Sequence, residues 1–323
     1  MEISKFQIIL VSLSLLLLLP VIHGWGTDGH FTVCRIAQCS LTSNAVWFRF
    51  SDSHLQPRLS DAASAAVKKL LPKSAGDDLA SLCSWADHVK FRYHWSSALH
   101  FIDTPDSLCT YQYDRDCKDD TGEKGRCLEG AIRNYTDQLL SYAKPSQSEY
   151  NLTEALLFLS HFIGDVHQPL HVGFTSDKGG NTIDVHWYRR KSVLHHVWDT
   201  NMIETAEERF YNEDVEGMID AIQQNITNSW SDQVTEWETC GRNETTCPDI
   251  SSPLRLLHLP NVQDTTWKYA TEGIKAACTI AYKDVTEDST LDDNYFLSRL
   301  PEIYLRLAQG GVRLAATLNR IFG

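Results

Sequence analysis

Four side chains that bind protons or metal ions crowd into SHFIGDVHQPLHVG, residues 160 to 173: His161, Asp165, His167 and His171. On a helix, His161 and Asp165 stand one turn apart on the same face. Asp165 and His171 then straddle the end of that helix, which Pro169 closes. The same spacing recurs in LHHVWDT, where His195 precedes Asp199 by four residues. Imidazole nitrogens paired with carboxylate oxygens are donors that suit zinc. One such pair reads most simply as a hydrogen-bonded core histidine; two pairs with His171 beside them point to a metal centre. Helical spacing turns His167 and His196 off the ligand faces, and His186 sits on an alternating stretch with no obvious partner. Those histidines are expected to be surface or hydrogen-bonded residues.

Further donors lie in shorter segments: His30 in WGTDGH, Asp87 in SWADHVKF, and His100 and Asp103 in SSALHFID. Trp25 matters because of what precedes it. Lys5 is followed by an unbroken apolar run from Ile8 to Leu19, then Pro20 and Gly24, the pattern of a secretory signal peptide too short to span a bilayer. Cleavage after Gly24 would free the α-amino group of Trp25, whose pKa of about 8 lets a metal deprotonate it and use it as a nitrogen ligand. Nine cysteines fit an oxidising compartment and a disulfide framework with one thiol left over. Sequons at Asn134, Asn151, Asn225 and Asn243 fit the same route, and no later run is apolar enough to cross a membrane. The expected product is secreted or lumenal.

The elements that must position these donors are mostly helical. Apolar residues recur with helical period over 60–71, 128–143, 152–167, 202–235, 269–283 and 294–320. One stretch, NTIDVHWY (181–188), alternates with period two and reads as a strand in a hairpin. No linker, repeat or low-complexity tract divides the chain, so residues 25–323 are expected to form one all-α domain with a short β-hairpin. The formal net charge is −13, and removing residues 1–24 leaves it unchanged because Glu2 and Lys5 go together. Such a chain lacks the basic field of a general nucleic-acid binder, so an anionic substrate must be held by something local.

In chain order, WGxxGH, WAD, LHFID, HFIGDxxQPLH, GGN and LHxxWD make the sequence resemble the zinc-dependent, single-strand-specific nucleases of fungi and plants, with wording nearest the plant bifunctional enzymes. The resemblance spans essentially the whole of residues 25–323. It implies a mainly helical fold with three zinc ions: one on Asp87, His100, His161 and Asp165, a second on Trp25, His30 and Asp165, and a third on His171, His195 and Asp199. Asp87 would orient or deprotonate the attacking water, and Lys90, at a position that is basic in the family, would neutralise charge on phosphorus. Phe101 and Asp103 match base-pocket positions, with Asn181 near them and Tyr93 as a contributor. The implied substrates are single-stranded DNA and RNA, mismatched or looped duplex and 3′-nucleotides, cleaved by a monomer to 5′-phosphate products. Three zinc dications would outweigh the carboxylates of Asp87, Asp165 and Asp199 and make the cleft floor positive in an acidic protein. The implied disulfides are Cys109–Cys278, Cys117–Cys127, Cys34–Cys83 and Cys240–Cys247, with Cys39 as the odd thiol.

The chain departs from the family pattern at 39–57 and 251–268, stretches with no familiar counterpart that read either as extra loops or as intron translated in frame. Two other functions share parts of this pattern. Zinc-dependent phospholipase C has a three-zinc site and an N-terminal Trp, and a secreted zinc-binding glycoprotein without turnover would keep the ligands alone.

Overall fold

The run ALLFLSHFIG leaves no face for water, and the fold is built around it. The computed structural model describes residues 25–38, 58–143, 149–239 and 268–323. Among these, α1 is Thr27–Gln38, α2 Asp61–Leu70, α3 Trp85–Val89, α4 Leu128–Leu140 and α5 Leu152–Asp165. Next, α6 (Leu194–His196) continues through a π-helical turn, Val197–Asn201, into α7 (Met202–Phe210). The rest are α8 (Val215–Thr227), α9 (Ser231–Glu238), α10 (Lys268–Ala276, followed by a π-helical turn at Ala277–Ala281) and the long α11 (Asp293–Phe322). The protein is mainly α, as its periodicity predicts.

α5 starts where Asn151 accepts the amide hydrogen of Glu154 at 3.3 Å, a cap worth about 1 kcal/mol. From Ala155 to Asp165 every residue of α5 is buried, enclosed by α1, α3, α4 and α11. α1 lies directly on α11 because Gly311 has no side chain: a Cβ there would stand 2.4 Å from Ile36 Cγ2 and 3.0 Å from the Val33 carbonyl. On either side of that crossing, α11 carries a buried arginine. Arg313 grips Glu272 of α10 with both terminal nitrogens at 2.7 and 2.9 Å, and Arg306 reaches the same carboxylate at 3.1 Å. Arg313 also lies 2.8 Å from His167 Nε2, while His167 Nδ1 donates to the Ile163 carbonyl at 2.7 Å. His167 is thus a buried strut joining the end of α5 to α10 and α11.

β1 (Asp184–Trp187) pairs antiparallel with β2 (Arg190–Val193), Asp184 opposite Val193, which is the hairpin expected from alternation. β3 (Ser289–Leu291) adds in parallel to the other side of β1, with Val185 opposite Ser289. Disulfides join Cys34 to Cys83, Cys109 to Cys278 and Cys117 to Cys127, three of the implied pairs. The expected helix over 202–235 is three helices instead. Asn212 and Glu213 take positive φ (54° and 61°), and Asp214 caps α8 by accepting the Glu216 amide at 3.1 Å, so polar turn residues interrupt a continuous apolar pattern.

Asn134 and Asn151 are exposed and Asn225 is half-buried. The expected signal peptide 1–24, the stretch 39–57 with Cys39, and Cys240, Asn243 and Cys247 lie outside the described residues, as does 251–268 except for Lys268, which opens α10. No helix among the described residues is long and apolar enough to cross a membrane.

Candidate metal centre

α5 presents His161 and, one turn later, Asp165, whose two carboxylate oxygens face different ways. Oδ2 lies 3.2 Å from His161 Nε2 and 3.0 Å from His100 Nδ1, and Oδ1 lies 3.2 Å from His30 Nε2 and 3.6 Å from His171 Nδ1. α3 brings Asp87, with Oδ1 3.5 Å from His161 Nε2 and 3.7 Å from His100 Nδ1. α1 brings His30, stacked on His161 at 3.7 Å between ring centroids. His171 stands on a 3-10 turn, Pro169–Val172, and α6 with its π-helical turn carries His195 and Asp199, 3.2 Å apart. A π-helical turn re-aims side chains within a helix and is frequent at functional sites. Three donor groups result, each with its atoms within 4.8 Å: Asp87, His100 and His161; His30, His161 and Asp165; His171, His195 and Asp199. These are the side chains that the sequence motifs pick out, with His161 within reach of two groups.

The main chain sets the rings. His161 Nδ1 bonds the Cys83 carbonyl at 2.8 Å, His171 Nδ1 that of His100 at 2.7 Å, and His195 Nδ1 that of Gly179 at 2.6 Å. In each, Nδ1 carries the hydrogen and the Nε2 lone pair points into the cluster, the arrangement of a metal-ligating histidine. The disulfide at Cys83 and the GGN glycine therefore serve the site through their carbonyls. The LHFID segment is held beside the His171 turn by Ile102 donating to the His171 carbonyl at 2.8 Å and Thr104 to that of Gly173 at 2.9 Å.

Buried donors without partners show that the cluster fits a cation. His30 Nδ1, His100 Nε2 and His171 Nε2 are all buried with no hydrogen-bond partner. Orphans of this kind are costly unless something satisfies them. Burial opposes charge on Asp87 and Asp165, yet the neighbouring histidines, His161 foremost, hold both carboxyls well below the usual range. Burial likewise disfavours charge on His161, but Asp165 and Asp87 carry it up to about 10. Burial then keeps His30 and His171 low, and burial with Lys90 pushes His100 down to about 3. Asp87 and Asp165 are thus held ionised and His30, His100 and His171 neutral, the states metal ligands need. His161 draws a proton as a substitute positive charge that a bound cation would displace.

Other residues singled out by the sequence fall around this centre. Lys90 Nζ lies 2.7 Å from Asp87 Oδ1. Trp25 is fully buried, and the next amide, Gly26, donates to the Asp199 carbonyl at 2.7 Å. Phe101 and Asp103 are half-buried; burial, with Asp120 and Asp177 near it, pushes the Asp103 carboxyl up to about 6. Asn181 donates to the Lys178 carbonyl at 2.8 Å. Tyr93 turns its hydroxyl to Glu154 at 3.2 Å and stacks on Trp95. His167 is buried and hydrogen-bonded, His186 half-buried and His196 exposed, none of them in a donor group. Sequence reasoning missed Gln168, fully buried, whose side-chain amide donates to Asp199 Oδ1.

Comparison with known proteins agrees with this geometry. The S1/P1 nuclease family model matches residues 55–323. Endonuclease 2 of Arabidopsis thaliana is 60% identical over 316 residues, covering 97% of this chain and 96% of the relative. Nuclease S1 of Aspergillus oryzae is 32% identical over 320 residues, 96% of each chain, and Nuclease P1 of Penicillium citrinum 33% over 308 residues, 93% of this chain and 98% of the relative.

Proposed function

The chain belongs to the S1/P1 nuclease family, and from that premise we propose that it is a secreted or lumenal zinc-dependent endonuclease acting as a monomer. Its substrates are single-stranded DNA and RNA and looped or mismatched duplex, cut to 5′-phosphate products, and 3′-nucleotides, from which it removes phosphate. The observation that carries this reading is Asp165, buried on a rigid helix with its oxygens turned toward donors of more than one group. Three disulfides and the lack of a membrane-spanning helix among the described residues support the secretory route. Family membership sets the phospholipase reading aside.

In this proposal Asp87, His100, His161 and Asp165 hold one zinc, Trp25, His30 and Asp165 a second, and His171, His195 and Asp199 the third. Bound zinc supplies a water acidified toward a pKa of about 7 and positive charge against phosphate. The chain's own residues do the remainder. Asp87 accepts the proton of the attacking water or orients it, and Lys90 beside it stabilises negative charge building on phosphorus. Phe101 stacks the base, Asp103 and Asn181 hydrogen-bond it, and Tyr93 completes that wall. A duplex hides its bases from such a pocket, so unpaired strands react best.

Metal analysis of the secreted protein, combined with product-end mapping on single-stranded DNA and RNA, tests this reading. We expect three zinc ions per chain, activity abolished by a strong chelator, and 5′-phosphate ends; Asp165→Asn should be the most damaging single ligand change. One zinc, metal-free activity, or 3′-phosphate or cyclic ends would overturn it, and zinc without hydrolysis would leave the silent glycoprotein. Trp25 gives a second test. Its nitrogen can ligate only as a free amine, so a form beginning Met-Trp25 should bind two zinc ions tightly and lose most activity, whereas N-terminal sequencing of the secreted form should begin at Trp25. Equal zinc and activity in both forms would remove Trp25 from the ligand set.

A further inference from the structure

Between Asp87 and His100 the chain reads Lys90-Phe91-Arg92-Tyr93-His94-Trp95, basic and aromatic side chains in strict alternation, in a protein whose net charge is −13. The segment is a tight turn: the Arg92 and Tyr93 amides both donate to the Val89 carbonyl at 2.8 Å, and a 3-10 helix, His94–Leu99, follows. Both of its ends are fixed to the donor cluster. Lys90 touches Asp87, and the 3-10 helix delivers His100. Arg126 holds the middle by donating to the Trp95 carbonyl at 2.8 Å.

Phe91 is 78% exposed and Trp95 48% exposed, while Arg92 and His94 are exposed between them. Trp95 is backed on one side by Tyr93, 5.7 Å away at 26°, and by Phe158, 5.7 Å away. Packing of the fold accounts for Tyr93 but not for two large aromatic rings left in water on a segment joined at both ends to the donor cluster. Exposed apolar surface at such a place marks an interaction site. Its partner must carry flat apolar faces and negative charges in short alternation, which describes the bases and phosphates of an unpaired strand. A folded protein partner would call for a continuous apolar area, and here each ring is separated from the next by a basic residue.

We propose that Phe91, Arg92, His94 and Trp95 form an accessory platform for single-stranded nucleic acid, on which bases beyond the cleaved linkage stack on Phe91 and Trp95 while Arg92 and His94 meet the backbone phosphates. The platform rests on the nuclease reading above and extends it from one nucleotide to a strand. It makes long unpaired strands better substrates than short ones without touching the reacting atoms.

The test compares kcat/KM for an oligothymidylate of about twelve nucleotides with that for a dinucleotide, in the wild type and in Phe91→Ala/Trp95→Ala and Arg92→Gln. Loss of stacking should lower the long-to-short ratio about tenfold in the double variant, through KM rather than kcat. Arg92→Gln should flatten the salt dependence of strand binding by about 0.7 in log–log slope. An unchanged ratio, or an equal loss on both substrates, overturns the platform and leaves the nuclease reading standing. Fluorescence titration of the full-length Asp87→Asn protein with the long oligomer reads strand binding separately from cleavage. Binding weakened about tenfold by the double aromatic substitution in that background supports the platform even if hydrolysis fails; unaltered binding overturns it.

Discussion

Gln168 joins two of the three donor groups, reaching Asp199 with its side chain and Asp165 with its main chain. Its amide nitrogen donates to Asp199 Oδ1 and its side-chain oxygen accepts the Leu170 amide at 2.5 Å, while its own amide donates to the Asp165 carbonyl at 3.0 Å. The His171 amide in turn donates to the Gln168 carbonyl at 3.0 Å. Removing the side-chain amide leaves Asp199 without that anchor, and loss of such an outer partner typically weakens metal affinity about 10–100-fold. Gln168→Leu should therefore weaken the ion at His171, His195 and Asp199 by about that factor and leave the others bound, as read by competition with a graded chelator. Uniform loss of all metal would mean that the residue only supports the fold. The sequence alone exposes the two His–Asp pairs because each lies within one helical run, where spacing decides the face. Asp87, His100 and His30 come from separate elements, and only their motif wording links them before the structure does. Gln168 is a fixed letter of HFIGDxxQPLH, but the motif does not disclose its role, which lies in a contact 31 residues away.

At the level of elements, the seating of α1 on α5 depends on Gly164, one residue before Asp165. A Cβ at that position would lie 2.7 Å from His30 Nδ1 and 3.0 Å from Cε1. His30 cannot easily yield, being fully buried and stacked on His161. Alanine would gain about 1 kcal/mol of helix propensity, but overpacking of a filled site costs about 1–3 kcal/mol. The steric term should win: Gly164→Ala is expected to lower unfolding free energy by up to about 2 kcal/mol and to lose the ion at His30, measured by urea denaturation and metal analysis. A variant with wild-type stability and full metal content would show that α1 can shift without harm. Helices whose apolar residues recur with helical period, α2, α4, α5 and α11, are legible from the sequence, and so is the β1–β2 hairpin. α1 and α3 are not, because Gly29, His30 and Asp87 turn polar or small residues toward the interior and break the pattern. β3 has three residues and pairs with a strand about a hundred positions earlier, so nothing local announces it.

Over the whole molecule, the excess of acid must be accommodated where helices meet, and the meeting of α1, α7 and α8 shows the cost. Glu207 of α7 is 8% exposed, and its Oε1 is buried without a hydrogen-bond partner. Burial first, then the charges of Asp28, Glu204 and Asp214, pushes its carboxyl up to about 7. A carboxyl whose folded value lies above the ordinary one of about 4.3 stabilises the fold fully below that ordinary value and ceases to do so as pH rises through the folded value. Glu272 has the opposite sign. Burial works against its charge, but Arg313 and then Arg306 hold its carboxyl below the usual range, so its contribution is present at neutral pH and lost on acidification through the folded value. Glu272 thus favours the fold from the neutral side and Glu207 from the acid side, so that the joint contribution of these two groups is greatest in mildly acid solution. Glu207→Gln keeps the shape and removes the ionisation. It should raise the melting temperature by about 2–4 °C near pH 7.5 and leave it nearly unchanged near pH 4.5, where the native carboxyl is already protonated. Thermal melts of both proteins across that range decide the matter: a gain independent of pH would assign the effect to packing, and no gain at pH 7.5 would mean that Glu207 carries its charge in the folded state without cost.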